Sequence, residues 1–191
     1  MKFRPKRSQK KKFWTKQKII TMAIGSIIIL LMVTSALNMY EGDDESVVEY
    51  KDYKFSYTYE GWQANIDGKK VYLSYPPEEL LDIEMEFIDV TQMDQLTKIY
   101  YSINPSQDPQ AAIYAFDRYF DFGGMQVPAC FEDVEGCETM PLKTCEDIDM
   151  GIGVIIFNQT EEYGMFMDTN CVIIQGPNLL KAVDRVILNY I

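Results

Sequence analysis

The hydrophobic pattern changes period several times along the 191 residues, and each change marks an element. The first stretch has no period at all. From Ile19 to Tyr40 no residue is charged, and its centre, Ile27 to Val33, is wholly apolar. At about 1.5 Å per residue a helix here reaches about 33 Å, enough for a hydrocarbon core of about 30 Å. Residues 41–49 hold Gly, Asp and Glu with little to bury and read as a spacer. Strict alternation follows. Tyr53, Phe55, Tyr57 and Tyr59 point one way and Lys54, Ser56, Thr58 and Glu60 the other, predicting a half-buried strand with an aromatic face. Trp62 to Ile66 is a second strand, Asp67-Gly68 a hairpin turn, and Val71, Leu73 and Tyr75 a third strand that Pro76 and Pro77 stop.

Ile83, Met85 and Phe87 alternate with acids, although Leu80 and Leu81 leave a helical first turn open. Lys98 to Ile103 reads as a strand. Asp108 then stands where an N-cap belongs and Pro109 at the first helical position, with Ala112, Ile113, Phe116, Tyr119 and Phe120 at helical spacing until Gly123 and Gly124. From Gln126 to Asp149 no period holds. Ile152 to Phe157 is continuous enough for a strand covered on both faces, and Tyr163–Met167 and Val172–Gln175 flank a turn at 168–170. Asn178 caps a last helix with Leu179, Leu180, Val183, Val186, Ile187 and Tyr190 on one side.

The expected fold class is α+β: an N-terminal transmembrane helix followed by one extracytoplasmic domain with a mostly antiparallel sheet and two packed helices. The expected organisation is a basic cytoplasmic tail at 1–18, the transmembrane helix at 19–40, the acidic spacer at 41–49 and the domain at 50–191.

Charge supplies the orientation. Nine of the 18 basic residues precede Ile19, and all 29 acidic residues lie at or beyond Glu41. Positive charge stays inside, so the tail is cytoplasmic and the body faces out, at the cell membrane, with Trp14 and Tyr40 as interfacial brackets. A cleaved signal peptide with Thr34 and Ala36 at its cleavage site is the competing reading; the long basic leader and full spanning length favour a retained signal-anchor. The body carries 9 basic against 29 acidic residues, net −20, which excludes nucleic acid as its partner.

Cys130, Cys137, Cys145 and Cys171 all lie in the body. An even count in an exported domain favours two disulfides, whereas zinc is disfavoured by the lack of any CxxC pair and of any histidine. Three connectivities are open, and spacing does not choose among them. The favoured pairing is Cys130 with Cys137, closing a local loop, and Cys145 with Cys171, tying that loop to a late strand; the longer closure is worth about 3 kcal/mol.

The segments Pro128-Ala-Cys130, Gly136-Cys137, Pro141-Leu-Lys-Thr-Cys145, Asn170-Cys-Val-Ile-Ile-Gln-Gly176 and Leu179-Leu-Lys-Ala-Val-Asp-Arg-Val186 resemble a group of small, single-span archaeal membrane proteins of unknown function. The resemblance covers the Cys-rich C-terminal third. It implies the anchored topology and the cysteine pairing and supplies no catalytic residue.

Without histidine no Ser-His or Cys-His nucleophile can be assembled. No Walker A, G-x-S-x-G or GxGxxG motif occurs, and Gly151-Ile-Gly153 precedes a strand where the dinucleotide motif follows one. The sequence assigns no catalytic residue, no metal ligand and no cofactor. Glu132, Asp133, Glu135, Glu138, Asp147 and Asp149 match no EF-hand spacing and read as a solvated acidic loop. Asn158-Gln159-Thr160 is an N-glycosylation sequon in the expected turn after Phe157. These features imply an extracytoplasmic binding or interaction domain of the cell envelope, engaging another envelope protein or a surface polymer. Two alternatives stand: a carboxylate-based or metal-assisted hydrolase of envelope carbohydrate, and a structural envelope protein.

Overall fold

The computed structural model describes residues 16–38 and 46–191, with side chains in the first segment from 20 to 34. Trp14, Tyr40 and most of the basic tail and acidic spacer lie outside the described residues. The chain divides into two compact units at Asp44 and Glu45.

The first unit contains one helix, α1 (Lys16–Asn38). Its apolar side chains are open on every side, from Ile20 and Ile24 to Leu31 and Met32. Such a helix has no preferred buried face. The Thr34 hydroxyl donates to the Leu30 carbonyl at 3.0 Å, so that polar group is satisfied inside the helix. Among the described residues no helix is long and apolar enough to cross a membrane. In α1 the described side chains stop short of a crossing, and the membrane span at 19–40 is a reading of the sequence.

The second unit begins with a four-stranded antiparallel meander, β1 (Val47–Tyr50), β2 (Tyr53–Thr58), β3 (Gly61–Ile66) and β4 (Lys69–Leu73). Three residues given to the spacer, Val47 to Glu49, are therefore sheet. Asp67 and Gly68 both have positive φ, 50° and 83°, as a type I′ hairpin turn requires. The aromatic face of β2 divides along its length: Phe55 is fully buried, Tyr57 is exposed, and Tyr59 is 97 % exposed beyond the strand end. A short helix, α2 (Pro77–Leu81), follows, so Ile83, Met85 and Phe87 lie in no strand. Tyr190 holds this irregular stretch by accepting the Val90 N–H at 2.5 Å and donating to the Ile88 carbonyl at 2.9 Å.

A second sheet has the order β6-β5-β7-β9-β8, formed by β5 (Lys98–Ile103), β6 (Met125–Cys130), β7 (Ile152–Gln159), β8 (Gly164–Asp168) and β9 (Cys171–Gly176). Strands β6, β5, β7 and β9 run parallel, and β8 alone is antiparallel. The α+β class holds, but the single, mostly antiparallel sheet is corrected to two sheets, one antiparallel and one largely parallel. Strand β6 lies in the stretch where no period was visible. Pro128 breaks its pattern and is tolerated because β6 is an edge strand.

Two helices pack together, α3 (Gln110–Tyr119) and α4 (Leu179–Asn189). Asn178 caps α4, its side chain accepting the Lys181 N–H at 3.0 Å. The expected cap of α3 differs: Asp108 is left-handed at φ 48°, Pro109 holds the cap position, and the helix ends at Tyr119, before Gly123. Helix α4 packs on β7 and β9, and α3 on β4, so the helix pair lies between the two sheets.

Period two sorts the side chains of the second sheet. Ile99, Tyr101, Ile155, Phe157, Val172 and Ile174 join the helices and the first sheet in one core. Tyr100, Val154, Ile156, Cys171 and Ile173 face the other way, against Phe131, Cys145 and Ile148 of the loop between β6 and β7. That loop is fastened by the disulfides Cys130–Cys137 and Cys145–Cys171, the favoured pairing. The buried Ser102 hydroxyl adds a bond to the Lys143 carbonyl at 2.6 Å.

Candidate functional site

Open parallel sheets bind ligands outside the carboxyl ends of their strands, where the winding reverses. Here the reversal lies between β5 and β7. The position is filled by the chain itself. Gln107 donates to Asn158 Oδ1 at 3.4 Å and accepts the Gln159 N–H at 2.9 Å. Beside it Asn104 accepts from the Ser106 N–H and hydroxyl and donates to Glu132 at 2.6 Å. The sequon residue Asn158 thus sits inside β7, not in a turn, and its side chain is half-buried.

Three carboxylates of the acidic loop, Glu138, Asp147 and Asp149, accept from neighbouring backbone N–H groups. Asp147 accepts the Thr144 N–H at 2.8 Å and pairs with Lys143 at 3.1 Å; the Thr144 bond, then the lysine, holds its carboxyl below the usual range. Glu138 is lowered in the same way by backbone N–H groups, its own and that of Gly136. Glu79, Asp82, Glu84, Glu161 and Glu162 line a broad open groove around Lys181. Among the described residues no three His, Cys, Asp or Glu side chains group as metal ligands.

A narrower cleft of about 160 Å³ runs between β4 and α3. One wall is the strand itself, Lys70 to Ser74, and the other is α3, which presents Ala111, Tyr114, Ala115 and Arg118. The small alanines, one helical turn apart, leave the space open. Arg118 reaches from the helix to the strand: its guanidinium lies 3.3 Å from the centre of the Tyr72 ring, and Nη2 is 3.2 Å from Glu60 Oε2. Planar stacking and a carboxylate fork are the two contacts a guanidinium makes best. At the turn end Lys69 closes the cleft, donating to the Tyr119 carbonyl at 2.7 Å above the Tyr119 ring. Lys70 is exposed and makes no ion pair among the described residues. In a body of net charge −20 the lining of this cleft holds two of the nine cations, Lys70 and Arg118, and a single carboxylate.

The far end of β4 is held by Asp184 on α4. This carboxylate is fully buried; Oδ2 accepts the Ser74 and Tyr75 N–H groups at 2.6 and 3.0 Å, and Oδ1 has no partner. Burial pushes its carboxyl up to about 7 from 3.8, against the lowering effect of the two N–H bonds. It stands apart from any second acid of the cleft, so it positions the strand and makes no acid pair.

Arg118, Tyr72, Glu60 and Asp184 are not singled out by motif. The sequence does carry one sign of Asp184, an acid among the apolar positions of the last helix, next to Val183. Arg118 is one of only two arginines in the body, but the ring and carboxylate it joins lie 46 and 58 positions away, beyond the reach of local pattern. The chain matches no protein-family model, no curated protein and no solved structure.

Proposed function

We propose that the chain is a membrane-anchored, extracytoplasmic binding module of the cell envelope whose contact site is the cleft between β4 and α3. The observation that carries this reading is the cleft's make-up. It is lined by Tyr72, Tyr114 and Tyr119, carries Arg118 and Lys70, and holds one carboxylate already engaged by Arg118. Tyrosine and arginine are enriched among the residues that carry most of the binding energy at protein interfaces. A hydrolytic pair of acids would need a second carboxylate facing Glu60, and the lining supplies none. Two disulfides support an oxidising, outward location, as does the basic flank of the apolar span.

The test uses the full chain in gently solubilised membranes. Ala111→Trp fills the cleft from an exposed helix position, and Arg118→Ala empties its rim. Both variants are expected to shift the native complex to the mass of the free protein while leaving its melting curve in place. A chain that migrates alone, or a complex indifferent to both substitutions, overturns the reading. Protease added to intact cells should also cut the body; a protected body with an accessible tail removes the outward placement.

A further inference from the structure

The two-residue turn at Asp67-Gly68 fixes which backbone groups of β4 are free. It makes Ile66 and Lys69 a hydrogen-bonded pair, and with the register Ala64↔Val71 and Trp62↔Leu73 the alternation puts Lys70 and Tyr72 in the other class. Their N–H and C=O groups point away from β3. β4 is an edge strand, and none of these four groups has a partner among the described residues. Edge strands are normally covered or blunted, since an open edge is a template for pairing. This edge opens into the cleft, opposite Ala111 and Ala115.

Resting on the reading of the cleft as the contact site, we propose that its ligand is an extended acidic peptide that adds to the first sheet as a fifth strand along β4. An added strand lies about 4.8 Å from β4 and alternates its side chains between two faces. On the inner face β4 turns Val71 and Leu73 into the core and α3 offers only alanine, so that side of the ligand takes small or β-branched residues. On the outer face stand Lys70 and the Arg118 guanidinium stacked on Tyr72, whose other N–H groups have no partner among the described residues. That side takes carboxylates. The body's net negative charge opposes an acid mainly at range, where it is screened beyond about 8 Å at physiological salt, and the cleft's own lining offers Lys70 and Arg118 against Glu60.

The probe is a capped seven-residue peptide alternating valine and glutamate, titrated onto the full chain in detergent micelles. Three companions go with it: the valine/lysine peptide, and two acidic peptides N-methylated at the odd or the even backbone nitrogens. Saturable binding is expected, at least tenfold weaker for the lysine peptide, for Lys70→Glu and for one N-methylated set only, with slowed amide exchange at Lys70 and Tyr72. Equal binding by both N-methylated peptides overturns strand addition, and equal binding by the lysine peptide overturns the charge selection. In either case the cleft remains a contact site if Ala111→Trp abolishes binding. Binding of an N-acetylglucosamine hexamer, lost in Arg118→Ala, with no peptide bound would keep the site and replace the peptide by a polymer. If no probe binds and the Ala111→Trp complex is unchanged, the reading of the cleft fails with the proposal.

Discussion

The two sheets of the body solve opposite problems. Residues of the second sheet's central strands, such as Ile155, Phe157 and Ile174, are buried against helices on one side, and Val154 and Cys171 against the cystine loop on the other. The first sheet has only its inner face in the core, through Phe55, Ala64, Val71 and Leu73, and leaves the β4 edge open. The second sheet is a closed scaffold and the first an exposed platform. Parallel pairing needs long crossovers and two covered faces, whereas hairpins need only turns. An added strand can therefore join the first sheet without undoing the core.

The comparison is broken most forcefully through the shared core. Phe157 is fully buried and lies edge-on to Tyr101 and Phe116. Phe157→Ala should cost about 3 to 5 kcal/mol, and because one core joins both sheets, unfolding should remain a single transition in denaturant. If the first sheet melted separately, platform and scaffold would be independent units.

Asp184 gives the next largest effect, and it joins the platform to α4. Its folded carboxyl titrates at about 7 against 3.8, so the folded chain binds a proton that the unfolded chain does not between these values. Stability from this group is fully present below about pH 4 and is lost as pH rises through 7. The span is worth up to about 4 kcal/mol. Asp184→Asn should flatten that part of the pH–stability curve, measured as the difference between variant and parent from pH 5 to pH 8. A parent curve that rises over this interval relative to the variant would reverse the assignment.

The disulfides sharpen the comparison from the scaffold side. Cys145–Cys171 spans 26 positions and Cys130–Cys137 spans 7. On loop closure alone their removal should cost roughly 3.5 and roughly 2.4 kcal/mol. Paired serine substitutions followed by calorimetry test that order. Amide exchange in β2 and β3 should quicken only as far as global unfolding does, since all four cysteines belong to the second sheet and the loop between β6 and β7.

What could be read from the chain follows the same division. Three strands of the meander were legible because their information is local: Asp67-Gly68 sets the turn, and Val71 and Leu73 alternate with polar neighbours; β1 was not, its Val47 and Val48 standing among the acids of the spacer. Helix α4 was legible as well, with its Asn178 cap and apolar stripe. β6 was not, because an edge strand containing Pro128 gains its identity from pairing with Tyr101 and its neighbours, more than twenty residues earlier. The parallel direction of β5, β7 and β9 was equally hidden, since continuous apolar runs state burial and not polarity. The cleft was least visible. Its walls come from residues 70–74 and 111–118, and what defines it is a missing volume beside Ala111 and Ala115 and a row of unpaired peptide groups. Neither leaves a mark in composition.

The smallest predicted effect bears most directly on the open edge. Gly68 has a φ of 83°, and a Cβ there would meet no atom within 4 Å, so substitution tests backbone preference without a clash. Gly68→Ala should cost about 1 kcal/mol, the usual penalty for an L-residue in the left-handed region. That cost should appear whole in a denaturant melt, as a shifted midpoint with an unchanged slope, because the register is held elsewhere. A slip by one residue would turn Val71 and Leu73 out of the core and Lys70 and Tyr72 into it. Lys70 and Tyr72 therefore keep their outward peptide groups, and amide exchange should remain fast at both in the parent, in Gly68→Ala and in a Gly68→Asn variant, asparagine being tolerant of positive φ. Protection gained at Lys70 and Tyr72 in Gly68→Ala alone would mean that the turn, and not the core, sets the register.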